Sequence, residues 1–169
     1  MAESTLTSRE RILALVAAQP GLHLRELPRR LDLSLRSVRY HLETLVEQRL
    51  VTAYRSGRYE RWFAIGSLSS ADRALISALR VGSQRRILSQ LQAAGPMRFA
   101  ALERATGLSA ATMVHSLGRL SAEGLVELGA DRRYRLRDPD AVAMRLATYR
   151  QRFPDLMADA AREIFDEGT

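Results

Sequence analysis

The chain has 169 residues, 46% of them apolar, enough for one ordinary domain or two small ones; collagen-like, low-complexity and wholly disordered readings are excluded. Cysteine is absent and only three histidines occur, which removes disulfides, thiolate metal sites and thiol nucleophiles and leaves a multi-histidine cage few ligands, so no metal or cofactor is expected. All 26 basic residues are Arg, set against 19 acids for a net charge of +7, and the planar guanidinium grips phosphate or a guanine edge bidentately, so nucleic acid leads the partner classes. No apolar run reaches the roughly 18 to 20 residues of a membrane helix, and Met1 to Glu10 lacks a basic start before an apolar core, so a soluble, cytoplasmic chain with no membrane partner is expected. Residues 1–66 and 67–137 carry net charges of +4 and +6, whereas 138–169 carries −3, so only the first two segments suit a polyanion.

An internal repeat organises the chain. Arg11-Ile12-Leu13 recurs 75 residues later as Arg86-Ile87-Leu88. The same offset pairs Leu24 with Phe99, Leu27 with Leu102, Leu33-Ser34 with Leu108-Ser109, Val38 with Met113, Leu42 with Leu117, Leu45 with Leu120 and Leu50-Val51 with Leu125-Val126.

Each copy reads as three helices followed by a hairpin, a mainly α chain with small β-hairpins (α+β). Thr7-Ser8-Arg9-Glu10 has capping-box spacing and starts a helix that ends at Gln19-Pro20-Gly21. A second helix, Leu24 to Leu31, should bury Leu24, Leu27 and Leu31; His23 stands at its start in place of a good cap, as Arg98 does in the second copy, and Pro28 lies deep enough to predict distortion. Asp32 falls where a left-handed turn residue is wanted, the role of Gly107 in the second copy. Ser34 caps a third helix to about Gln48 with Val38, Leu42, Leu45 and Val46 inward and Arg36, Arg39, Tyr40 and Glu43 outward. Arg49 sits where the second copy has Gly124, which predicts a strained positive φ. Val51 to Tyr54 and Tyr59 to Ile65 flank a Ser56-Gly57 turn, giving a wing with Arg55 and Arg58 at its tip.

With "LSLRSVRYHLETLVEQRLV" followed by "RSGRYERWF", and "LSAATMVHSLGRLSAEGLVEL" in the second copy, residues 7 to 137 resemble the winged helix-turn-helix of ArsR/MarR-like transcriptional regulators, in tandem. The resemblance implies a non-enzymatic, double-stranded-DNA-binding regulator: Arg36, Arg39 and Tyr40, with Ser37 and Thr44 at the margins, read bases in the major groove, and Ser34, Arg55, Arg58 and Arg61 hold phosphates. The plain alternatives are solvated Arg on a helix surface for Arg36 and Arg39, edge protection for the wing charges, and sheet packing, favoured over base stacking, for Tyr59, Trp62 and Phe63.

The second copy offers outward Ala111, Val114, His115 and Gly118, with no cation, so its third helix is expected not to read DNA; Arg132, Arg133, Arg135 and Arg137 crowd its hairpin as a secondary backbone contact. His41 and His115 occupy non-equivalent positions and read as surface or core-flanking residues. The expected organisation is a DNA-reading unit over 1–66, a connecting helix over 67–80 started by Ser69-Ser70-Ala71-Asp72, a second unit over 81–137, and C-terminal helices over 138–169. In those last helices Asp138-Pro139-Asp140 starts a run bearing Val142, Leu146 and Tyr149, and Pro154 breaks it before Leu156, Ala160, Ile164 and Phe165; they dimerise the chain or cover its core. A sequence-indifferent DNA-coating protein and a tandem winged-helix interaction module are the competing functions. No phosphate-binding Gly loop or nucleophile elbow supports an enzyme.

Overall fold

A computed structural model of the protein describes residues 6–66, 68–156 and 158. The chain divides into two compact units between Arg73 and Ala74. The first contains α1 (Ser8–Ala18), β1 (Leu22–His23), α2 (Glu26–Leu31), α3 (Leu35–Glu47), β2 (Val51–Ser56) and β3 (Tyr59–Ala64). The division falls within α4 (Ser70–Leu79). The second unit then holds α5 (Gly82–Ala94), α6 (Phe99–Thr106), α7 (Ala110–Ala122), β4 (Val126–Leu128), β5 (Tyr134–Leu136) and α8 (Pro139–Arg152).

Local chemistry sets most boundaries. Thr7 Oγ1 accepts the Glu10 N–H while Glu10 reaches back to the Thr7 N–H at 2.7 Å, the reciprocal capping box that starts α1. Ser34 and Ser109 accept N–H groups from Ser37 and Thr112 at the starts of α3 and α7, and Asp138 caps α8 ahead of Pro139. Asp32 (φ 53°) and Gly107 (φ 67°) end α2 and α6 in the left-handed region. Arg49 (φ 57°) occupies the same conformation as Gly124 (φ 71°), the strain expected from its sequence position.

The core of the first unit joins Ile12 and Val16 of α1, Leu27 and Leu31 of α2, Val38, Leu42 and Leu45 of α3, and Leu22 and Val51 from the strands. Full burial of each such side chain contributes roughly 1.5–3 kcal/mol. Counterparts in the second unit are buried too: Ile87, Leu91, Leu102, Met113, Leu117, Leu120 and Val126. The repeat is therefore a repeat of core positions. Its opening arginine also braces the helices. Arg11 Nη2 donates to the Leu31 carbonyl at 2.6 Å, and Arg86 Nη1 to the Thr106 carbonyl at 3.5 Å, tying the first helix of each unit to the end of the second.

Two expectations are corrected. The second helix starts at Glu26, not Leu24, because Leu22–His23 pairs antiparallel with Trp62 and Arg61, making a three-stranded sheet in the order β1-β3-β2. His23 is thus a strand residue, Leu24 is only half-buried, and Pro28 is the third helical residue, where its missing N–H has no intrahelical partner to lose. Val46 is 43% exposed and lies off the inner face of α3. In α8, Val142 and Tyr149, with Phe153 and Leu156 beyond it, are buried within the chain. Ala160, Ile164 and Phe165 lie outside the described residues. No helix among the described residues is long and apolar enough to cross a membrane.

Candidate nucleic-acid interface

The inward residues of α3 fix what faces out. With Val38, Leu42 and Leu45 buried, the 100° advance per residue leaves Arg36, Arg39, Tyr40 and Glu43 on the exposed side. Neither Arg36 nor Arg39 is ion-paired with a described residue. Tyr40 is 65% exposed, its ring set edge-on to His41 at 5.3 Å. Thr44 and Ser37 border the stripe half-buried; the Thr44 hydroxyl donates to the Tyr40 carbonyl at 3.2 Å, and the Ser37 N–H is given to Ser34 Oγ. The Ser34 hydroxyl, though it accepts as a cap, still has a proton to donate.

The wing is a two-residue hairpin. Ser56 pairs with Tyr59, Gly57 takes φ 65°, and Arg58 is exposed at the tip. Gly57 is needed because the first central residue of such a turn has positive φ, and Gly meets it without a Cβ clash. Arg55 is exposed but its Nη2 lies 2.9 Å from Glu60 Oε1, so part of its charge is already matched. Arg61 does not face solvent, contrary to expectation: it is 8% exposed and its Nη1 donates to the Gly21 carbonyl at 2.9 Å, bracing β3 against the end of the α1–β1 turn. Burial pushes its guanidinium below the usual value, with Glu26 opposing. The reason is register. Arg61 lies opposite both His23 and Tyr54, on a central strand, where its side chain is covered.

The aromatic residues of β3 divide. Phe63 is fully buried and Trp62 packs half-buried on the core, whereas Tyr59 is 51% exposed with its ring edge-on to His23 at 5.1 Å. The imidazole of His23 is held below its usual value, first by burial and then by Arg61, while its backbone N–H donates to Glu26 Oε2 at 2.6 Å. Between α3 and β3 a 240 Å³ cleft brings Arg39, Glu43 and Glu60 together over Leu24, Leu42 and Trp62. Nothing in the sequence pattern singles out Glu60; the one available signal is its place two residues from the hairpin turn, across from Arg55.

The second unit has the same scaffold and a different surface. Ala111, Val114, His115 and Gly118 are all exposed on α7, with Val114 at 65%. Its hairpin is three pairs long, and Arg132 (φ 58°) and Arg133 are exposed in the loop. Arg135 is half-buried and engaged by Asp131, so it is withdrawn from the backbone-contact set; Arg137 lies 3.7 Å from Glu127. Among the described residues no group of three His, Asp or Glu is placed to hold a metal ion.

Comparison with known proteins bears on the same two units. Residues 6–76 match the family of the N-terminal HTH domain, and residues 82–133 match the MarR family. No curated protein matches significantly. Among solved structures, the DIP2311 protein from Corynebacterium diphtheriae is 19% identical over 76% of this chain, with a TM-score of 0.28. The match spans only 26% of that protein's length. Both matched families are those of DNA-binding regulators. The chain thus carries two winged helix-turn-helix units in succession, an N-terminal HTH domain over residues 6–76 and a MarR-family domain over residues 82–133.

Proposed function

We propose that this chain is a sequence-specific, double-stranded-DNA-binding transcriptional regulator that reads through its first unit. In this reading α3 enters the major groove, Arg36 and Arg39 bond guanine edges or the flanking phosphates, and Tyr40 packs beside them, with Ser37 and Thr44 at the groove margin. Ser34 and Arg58 hold the backbone, joined by Arg55 once its pairing with Glu60 is exchanged for a phosphate. Arg132 and Arg133 supply a weaker backbone contact from the second unit. Residues 67–80 connect the reading unit to 81–137, and 138–169 serve homodimerisation, which would set two reading helices about 34–36 Å apart on an inverted repeat.

The observation that carries the reading is the state of the two α3 guanidiniums, exposed on one face and in no ion pair with a described residue, beside a wing tip that presents Arg58. The test is competition between a selected site and random DNA. Arg36→Ala with Arg39→Ala should remove site preference, at about 1–3 kcal/mol per lost bidentate contact. Arg58→Ala should weaken all sequences alike and flatten the salt slope by about one unit. Arg61→Ala should leave that slope unchanged. Equal losses on specific and random DNA from the α3 pair would overturn base reading in favour of sequence-indifferent coating. No binding to random DNA at low salt would favour an interaction module.

A further inference from the structure

The α3 face assigned to DNA carries an acid. Glu43 is exposed on the outer stripe and lines the cleft between α3 and β3 with Arg39, where a carboxylate brought against phosphate is unfavourable unless it gains a partner. That partner is not supplied within the described chain. Arg39 precedes Glu43 by four residues, the spacing at which helix ion pairs form, yet no ion pair joins them and Glu43 pairs with no other described residue. The same order and spacing does close on α7, where Arg119 Nη2 lies 3.6 Å from Glu123 Oε1. The neighbouring acid of the cleft, Glu60, is engaged by Arg55 at 2.9 Å. In the second unit the position of Glu43 is taken by Gly118, so the acid occurs only beside the arginine stripe.

Base edges decide what such a group can meet. In the major groove guanine presents two acceptors, thymine an acceptor beside a methyl group, and adenine an acceptor next to its amino group. Cytosine alone presents a donor with no acceptor beside it. An ionised carboxylate only accepts, so cytosine is the base it suits. Arg39, one turn earlier, only donates and suits guanine. Four residues of helix rise about 6 Å, close to two base steps of about 3.4 Å, so one helix face can present both groups to neighbouring base pairs.

We infer that Glu43 is a specificity-determining residue that accepts a hydrogen bond from the N4 amino group of a cytosine, within about two base pairs of the guanine read by Arg39. The inference rests on the base-reading assignment of α3 and adds a position that the arginines cannot set. Guanidiniums attract every phosphate. The carboxylate disfavours the other bases at its position, which lowers affinity for random sequence while keeping it for the site.

Selection of bound sequences from a random double-stranded pool, run with the full chain and with Glu43→Gln, tests this. Glutamine keeps the length and helix preference of glutamate but brings a donor, so cytosine preference should fall at least about fivefold at one position while the guanine positions are kept. Glu43→Ala, which has no acceptor, should lose the same position. Glu47→Gln removes an exposed acid from the last turn of the same helix and should change none. An unchanged consensus with Glu43→Gln and Glu43→Ala, and tighter binding to all sequences alike, would mean that Glu43 only repels phosphate; it would overturn the inference and leave base reading by the arginines intact. If the unvaried chain selects no consensus, base reading itself fails, and this inference with it.

Discussion

Helices α3 and α7 stand 75 residues apart, start from the same serine cap and bury the same three positions, yet their outer faces share nothing. Arg36, Arg39, Tyr40 and Glu43 correspond to Ala111, Val114, His115 and Gly118. Burial constrains Val38 or Met113, Leu42 or Leu117, and Leu45 or Leu120 because a core tolerates little change of volume. Solvent constrains nothing opposite them. The two units thus share buried positions while their surfaces differ, and a shared scaffold says little about shared function.

That comparison can be tested from its strongest element downward. Leu42→Ala and Leu117→Ala remove the same buried side chain from the two units, and each should cost about 2–5 kcal/mol in chemical denaturation of its own unit. A loss well under 1 kcal/mol in either would mean that the two cores are not equivalent.

Surface divergence is tested by transplantation. Ala111→Arg with Val114→Arg gives α7 the cations of α3, and an open α7 face should then raise affinity for random DNA and steepen the salt slope by up to about two units. An unchanged slope would mean that the α7 face is covered in the working protein.

The turn after each helix gives a smaller, opposed pair of effects. Arg49 and Gly124 hold nearly the same positive φ. Arg49→Gly should therefore stabilise the first unit, and Gly124→Ala should destabilise the second, each by about 1 kcal/mol, read as opposite shifts of unfolding midpoint.

The smallest effect is a pH dependence confined to the first unit, since the position equivalent to His23 is Arg98. Folding holds His23 below the 6.5 of a free imidazole, so the unfolded chain takes up this proton first as the pH falls. Its contribution to stability is complete above about pH 6.5 and declines beneath it. Comparing urea midpoints at about pH 7.5 and 5, His23→Gln should show a shallower decline than the unvaried protein.

Much of this architecture is legible in the sequence. The caps at Thr7, Ser34 and Asp138, the left-handed Asp32 and Arg49, the buried stripe of α3 and its exposed opposite face all follow from interactions spanning four residues or fewer, or from helical periodicity. The outward arginines of the candidate interface are legible for the same reason. Strand β1 is not, because a two-residue strand has no periodicity and exists only through its pairing with β3. The extra strand also moves the start of α2 and relieves the conflict expected at Pro28.

The sequence by itself determined which residues turn inward and outward on each helix, since a 3.6-residue period and a capping side chain act locally. Only the tertiary structure decided which arginines are engaged within the protein. Arg61 bonds a carbonyl 40 residues away, Arg11 and Arg86 each one 20 residues away, while Arg55 and Arg135 meet acids brought close by their hairpins. A guanidinium looks the same in a sequence wherever it lies; its availability depends on which carbonyl or carboxylate the completed fold places within bonding distance.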